Sequence, residues 1–168
     1  KVARLESADR RDLFQESAGR RGMNPAVIEK DFWVCWVLKQ LFTDSALKES
    51  LVFKGGTSLS KVFGLIDRFS EDIDLVLNWQ LLGYGAEKTD LHEDGRSNTQ
   101  QDLLNKEVNK DAAIYIKETL LGQLNIRFGS CPGISAELGG EPHIINVTYP
   151  PAFNESYLSP AVLLEIGP

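Results

Sequence analysis

Two neighbouring stretches constrain the fold of this chain more than anything else in it. LVFKGG (51–56) is a short apolar run closed by two glycines, which predicts a strand entering a tight turn. TSLSKVFGLI follows directly. Its Leu59, Val62, Phe63 and Ile66 recur at i, i+3, i+4 and i+7, the spacing of an amphipathic helix. EDIDLVLNW (71–79) then alternates before turning apolar, so it reads as a strand with one chemically distinct edge. The order is therefore strand, Gly-Gly turn, helix, strand.

That distinct edge holds Asp72 and Asp74. Residues two apart on a strand face the same way, with Cα atoms about 6.6 Å apart. Two such carboxylates either converge on a hard cation such as Mg²⁺ or bridge a pair of ions. The plainer alternative is two acids on a solvated strand face, since a bare D-x-D is a short pattern. The Gly55-Gly56 turn adds weight to the first reading. Glycine lets the backbone approach a ligand closely, and a turn that opens a helix presents free N–H groups to phosphate oxygens. Thr57 or Ser58 would add a hydroxyl donor, and Lys61, one turn on, would reach back toward the turn. Lys54 and Arg68 are further candidate phosphate contacts. The spacing is not that of a Walker A loop, and a simple strand-to-helix turn remains the alternative. A third acid usually completes a two-metal site. Glu165, a lone charge in the apolar run AVLLEI, is the first choice, because a charge in such a strand needs a partner or a metal. Glu137 in ISAEL is the competitor.

Around this unit, residues 1–22 read as a charged, partly helical lead-in. Asn24-Pro25 is an N-cap with proline at the first helical position. AVIEKDFWVCWVLKQLF then predicts a helix apolar on nearly every face and ending near Thr43. Trp33 and Trp36 are expected in its packing, while Glu29-Lys30-Asp31 would form a charged patch near its start. Residues 83–100 read as a polar loop and 101–122 as a helix carrying Leu104, Val108, Ala112 and Tyr115 on one stripe. LNIRF (124–128), ISAEL (134–138), HIINVTY (143–149) and AVLLEI (161–166) are strand candidates. Trp79 is a weak candidate to flank a base. The chain divides into a helical segment, 1–50, and a core, 51–168.

Composition removes several function classes. With a formal net charge of -6, the chain is a poor general magnet for nucleic acid, although metal ions would let it hold a small anionic substrate. Cys35 and Cys131 stand in unlike contexts, so they are neither a disulfide framework nor a zinc site. Neither His92 nor His143 has a Cys or His partner at metal spacing. No apolar run approaches the roughly 20 residues that cross a bilayer, and no signal peptide is visible. Reduced thiols in a cytoplasm are the expectation.

KGGTSLSKVFGLIDRFSEDIDLVL (54–77) resembles the AbiEii/AbiGii-type nucleotidyltransferase toxins, within the DNA polymerase β-like superfamily. EKDFWVCWVLKQLF (29–42) resembles the helix preceding that motif, and NVTYPPAF…LSPAVLLEIG (146–167) the later strands; the likeness runs from about 24 to 168. It implies an α/β (α+β) nucleotidyltransferase fold, a mixed sheet flanked by helices. It also implies Mg²⁺-dependent transfer of a nucleoside monophosphate from an NTP to an acceptor hydroxyl. On that likeness Asp72 and Asp74 match the paired metal ligands, Gly55, Gly56 and Thr57 the phosphate-binding turn, and Glu165 the third acid. RNA such as tRNA, or a protein, would be the acceptor, and a cognate antitoxin the partner, as in toxin–antitoxin or phage-defence systems. The family's helical C-terminal region, with a Lys-bearing and an acidic motif, would follow Pro168, so the sequence reads as a fragment. The competing function is a nucleotide- or antitoxin-binding module without turnover.

Overall fold

The computed structural model describes residues 1–62 and 71–168. Phe63, Ile66 and Arg68, three of the residues singled out above, lie outside the described residues. After a 3₁₀ turn at Val2–Arg4, the chain runs through α1 (Ser7–Arg21), α2 (Pro25–Thr43), α3 (Ser45–Ser50), β1 (Leu51–Phe53) and α4 (Gly55–Lys61). It continues through β2 (Asp72–Leu77), a 3₁₀ turn at Trp79–Leu82, α5 (Asn98–Tyr115), a π-helical segment (Ile116–Leu120) and α6 (Leu121–Phe128). Three strands follow: β3 (Ser135–Leu138), β4 (Ile144–Thr148) and β5 (Ala161–Gly167).

The five strands form one mixed sheet in the order β1-β2-β5-β4-β3. Only β2 and β5 run parallel; the other pairs are antiparallel. Alternation sorts the sheet into two faces. Ile73, Leu75, Leu77, Ile145, Val147, Val162, Leu164 and Ile166 join one buried cluster with Trp33, Val34, Val37 and Leu41 of α2, Leu104 and Val108 of α5, and Leu124 and Phe128 of α6. Asp72, Asp74 and Glu165 occupy the alternate positions, outside that core. The mixed sheet flanked by helices agrees with the fold class expected from the sequence.

The helical segment 1–50 and the rest of the chain share this core, and α2 is central to it. Asn24 Oδ1 accepts from Ala26 N at 2.8 Å, capping the helix at the Asn-Pro pair as the sequence predicts. Only Cys35, Lys39 and Thr43 along α2 are exposed, one narrow stripe at four-residue spacing. Glu29 and Lys30 are not the surface patch expected for them: each is 2 % exposed. The Glu29 carboxylate accepts from Ala152 N (2.8 Å) and Phe153 N (3.1 Å). The Lys30 ammonium donates to Ser159 O (2.9 Å) and Ala161 O (2.6 Å) and pairs with Glu71 at 3.3 Å. A buried charge persists where it is paired and hydrogen-bonded, and here the pairing fixes the backbone just before β5 and just before β2.

Two expectations are corrected. LNIRF is not a strand but the end of α6. Both periods fit it locally: as a strand, Leu124, Ile126 and Phe128 would share a face. The helix wins because Ile116, Leu120, Leu124 and Phe128, all fully buried, extend the α5 stripe, leaving Ile126 83 % exposed. The helical register also turns Asn125 toward β3, where its amide accepts from Ala136 N and donates to Ala136 O, both at 2.9 Å. That contact satisfies the open side of an edge strand. Second, α5 starts at Asn98, inside the stretch read as loop. Ser97 and Gln100 form a reciprocal capping box there.

Candidate active site

Lys54 follows the first strand and begins the glycine corner. Its backbone N–H donates to Asp74 O at 3.0 Å, which brings the corner against β2. Gly55 then has φ +75°, the left-handed region that favours glycine. Position also demands glycine here: a β-carbon on Gly55 would lie 1.9 Å from Asp74 Oδ2. The glycine backbone and the aspartate carboxylate thus meet in van der Waals contact, two segments from opposite sides of the 54–74 connection. One residue further in, the buried Thr57 hydroxyl donates to Asp72 O at 2.5 Å, tying α4 to the start of β2. Ser58 is likewise buried and Gly56 half-buried. Thr57 therefore holds the turn to the strand with the hydroxyl that sequence reasoning assigned to phosphate.

The other side of the site comes from β5. In the parallel β2–β5 ladder Asp74 stands opposite Glu165, and Asp72 opposite Leu163. Neighbouring strands are about 4.8 Å apart, and directly paired residues share a face. The exposed Glu165 and half-buried Asp74 are therefore lateral neighbours, with Asp72 two residues back on the same side. Glu137 is on the edge strand β3, separated from β2 by both β5 and β4, so it does not join the group. Lys61 forms an ion pair with Asp31 of α2. Trp79 packs edge-on against His92, ring centroids 5.4 Å apart, and its ring lies over Gly85.

A cleft of about 280 Å³ opens beside these acids, lined by Lys54, Asp74 and Glu165 together with Asn109, Glu141 and His143. The Lys54 ammonium lies over the end of β5, 3.5 Å from where a β-carbon of Gly167 would sit. Three carboxylates line the cleft against one ammonium, an excess of negative charge that favours a bound cation. Among the described residues no three His, Cys, Asp or Glu side chains are gathered as a ready metal cage. Magnesium keeps several waters and is commonly held by one or two carboxylates plus substrate phosphates. Asp74 and Glu165, lateral neighbours that both line the cleft, are the two carboxylates that fit such an ion arriving with a triphosphate.

Sequence reasoning missed the supports of the site. Glu71 precedes Asp72 and is drawn to the buried Lys30. Tyr149 stacks on Trp33 at 5.1 Å, and burial, helped by the Glu29 and Glu71 carboxylates, pushes its phenol above the ordinary range. The signal for Glu29 and Lys30 was their place in a helix otherwise apolar on most sides.

The glycine corner makes a sharp prediction. Gly55→Ala places a side chain at positive φ and drives it into Asp74. Any reaction that uses this cleft is expected to slow about 100-fold, since an error of about 1 Å near reacting groups costs that much. Thermal melting run alongside separates this from unfolding. An unchanged rate would show that the corner and Asp74 do not work together.

A family model described as "Nucleotidyl transferase AbiEii toxin, Type IV TA system" matches residues 36–168. No curated protein and no solved structure matches the chain.

Proposed function

The chain belongs to the AbiEii nucleotidyl transferase toxin family of type IV toxin–antitoxin systems, and from that premise we propose that it transfers a nucleoside monophosphate from a magnesium-bound NTP to an acceptor hydroxyl. The observation that carries this reading is the contact of Gly55 with the Asp74 carboxylate, beside Glu165 on the parallel neighbour strand. Asp72, Asp74 and Glu165 would hold the metal. Bound magnesium would neutralise the triphosphate and acidify the acceptor hydroxyl.

The chain's own residues supply positioning. Gly55 lets the corner close onto Asp74, and Gly56, without a β-carbon, lets the phosphates approach the backbone. Lys54 sets an ammonium at the cleft, where charge develops on transferring phosphoryl oxygens. Thr57 and Lys61 act through their neighbours: Thr57 holds the corner to β2, and Lys61 holds α4 to Asp31 of α2. Ser58, buried in the first turn of α4, supports the same corner. The cleft is too acidic to attract an RNA acceptor by charge alone, so an RNA is captured by its hydroxyl and neighbouring groups. A cognate antitoxin is the expected partner and the cytoplasm the expected compartment. No described helix is long and apolar enough to cross a membrane.

The test is incubation of the protein with each α-labelled NTP and total RNA or total protein, with Mg²⁺ or with excess chelator. A labelled band that requires Mg²⁺ is expected, and chelation should remove it. Calorimetry that finds Mg²⁺·NTP binding with no pyrophosphate release would point instead to a binding module. No Mg²⁺-dependent binding of any NTP would defeat both.

A further inference from the structure

His143 lines the same cleft as Asp74 and Glu165, and nothing above uses it. Its carbonyl accepts from Ile166 N at 2.9 Å, and the next residue, Ile144, pairs with Glu165. The backbone thus fixes His143 beside Glu165, on the β4 side of β5. The glycine corner touches Asp74 on β2, the other flank of β5. Strand order therefore places His143 and the glycine corner on opposite flanks of β5, which leaves the β4 side of Glu165 open to a second substrate.

The ring itself has an unusual feature. His143 Nδ1 is buried and has no hydrogen-bond partner among the described residues, although the side chain as a whole is only half-buried and lines the cleft. A neutral imidazole carries one hydrogen, on either nitrogen. On Nδ1 it would create a buried N–H without an acceptor, which folded proteins rarely keep. On Nε2 it avoids that cost, and Nε2 is the ring nitrogen left to a residue that lines the cleft with its Nδ1 buried.

We propose that His143 donates a hydrogen bond from Nε2 to an oxygen of the acceptor, orienting the attacking hydroxyl beside Glu165. This rests on the transferase reading of the same site. The role is that of a donor in contact with substrate, not of a base: the proton of the hydroxyl leaves toward a carboxylate, and the imidazole keeps its own. Well-oriented donors of this kind act by holding the nucleophile in a reactive geometry.

Two measurements test it. The first is the tautomer, read from long-range ¹H–¹⁵N correlations. The chain has two histidines, so the spectrum of a His143→Gln variant identifies the signals. The Nε2–H form is expected, and an Nδ1–H form overturns the proposal. The second compares His143→Ala with His143→Gln, whose amide N–H falls near the position of Nε2. The acceptor probe is whichever fraction, total RNA or total protein, takes label from the unmodified protein. Alanine is expected to lower transfer about tenfold, the scale of one lost hydrogen bond, while the affinity for Mg²⁺·NTP stays within about twofold. Glutamine should recover most of the loss. A glutamine variant as poor as alanine would make the imidazole a base and overturn the proposal, as would NTP affinity falling in step with transfer. Alanine behaving like the unmodified protein overturns it as well. Failure of the transferase reading looks different: the unmodified protein transfers no label, and both ideas fall together.

Discussion

Asp74→Asn is expected to reduce nucleotidyl transfer by roughly 10³-fold or more, on the scale set by removing a preorganised electrostatic group from a reaction centre. The substitution keeps the shape of the side chain, so Gly55 retains its neighbour and β2 its pairing with Glu165. What is lost is one full negative charge at the point where the corner, the parallel ladder and the cleft meet. An amide is a weak ligand for magnesium compared with a carboxylate. The loss should therefore appear in the maximal rate and in the Mg²⁺ concentration needed to reach it, with thermal stability nearly unchanged. Like charges side by side repel, so a slight gain in stability without metal is also expected. Steady-state transfer across a Mg²⁺ titration, with a thermal melt of the same preparation, checks both parts. A variant with full activity would remove Asp74 from the centre of the site.

The largest expected loss of stability lies elsewhere, at Glu29→Ala. Glu29 is buried and receives two backbone N–H groups, from Ala152 and Phe153. Alanine leaves those donors without an acceptor and opens a gap beside Trp33. Each abandoned buried donor costs about 1–3 kcal/mol, so a loss of about 3 kcal/mol is expected, close to what breaking a buried charged contact costs. For a domain of this size that lowers Tm by roughly 10 °C. Thermal and urea unfolding measure it directly. Glu29→Gln keeps an acceptor oxygen for one of the two donors and should lose much less. Equal losses in the two variants would mean that the gap, rather than the hydrogen bonds, sets the cost.

The architecture and the candidate site were legible to different extents. The glycine corner and the D-x-D strand could be read because each is local: glycine's freedom at positive φ and the two-residue period of a strand operate over a few residues. Their meeting could only be inferred, since the contact between Gly55 and Asp74 spans 19 residues of chain. Glu165 was chosen as a charge isolated among apolar neighbours, and the parallel register sets it beside Asp74. The errors share a cause. LNIRF carries an apolar pattern compatible with both periods, and the helix is decided by residues outside it, the α5 stripe behind and Ala136 ahead. The capping box at Ser97 was local and readable, yet the polar composition around it masked the signal. Glu29 and Lys30 look like surface charges in any short window. Only their partners at 150–161 and at Glu71, more than 40 residues away, make them interior.

The parallel strand β5 comes last along the chain yet lies between β2 and β4. During synthesis, both flanking strands wait with unpaired edges until residues 161–167 emerge to fill the gap. Contacts of such long sequence separation form slowly. A polypeptide cut short before Ala161 has neither Glu165 nor a continuous sheet to hold Asp72 and Asp74 in place. A product truncated there is therefore expected to lack the cleft itself, because one wall of it, Glu165 to Gly167, arrives only with the strand that closes the middle of the sheet.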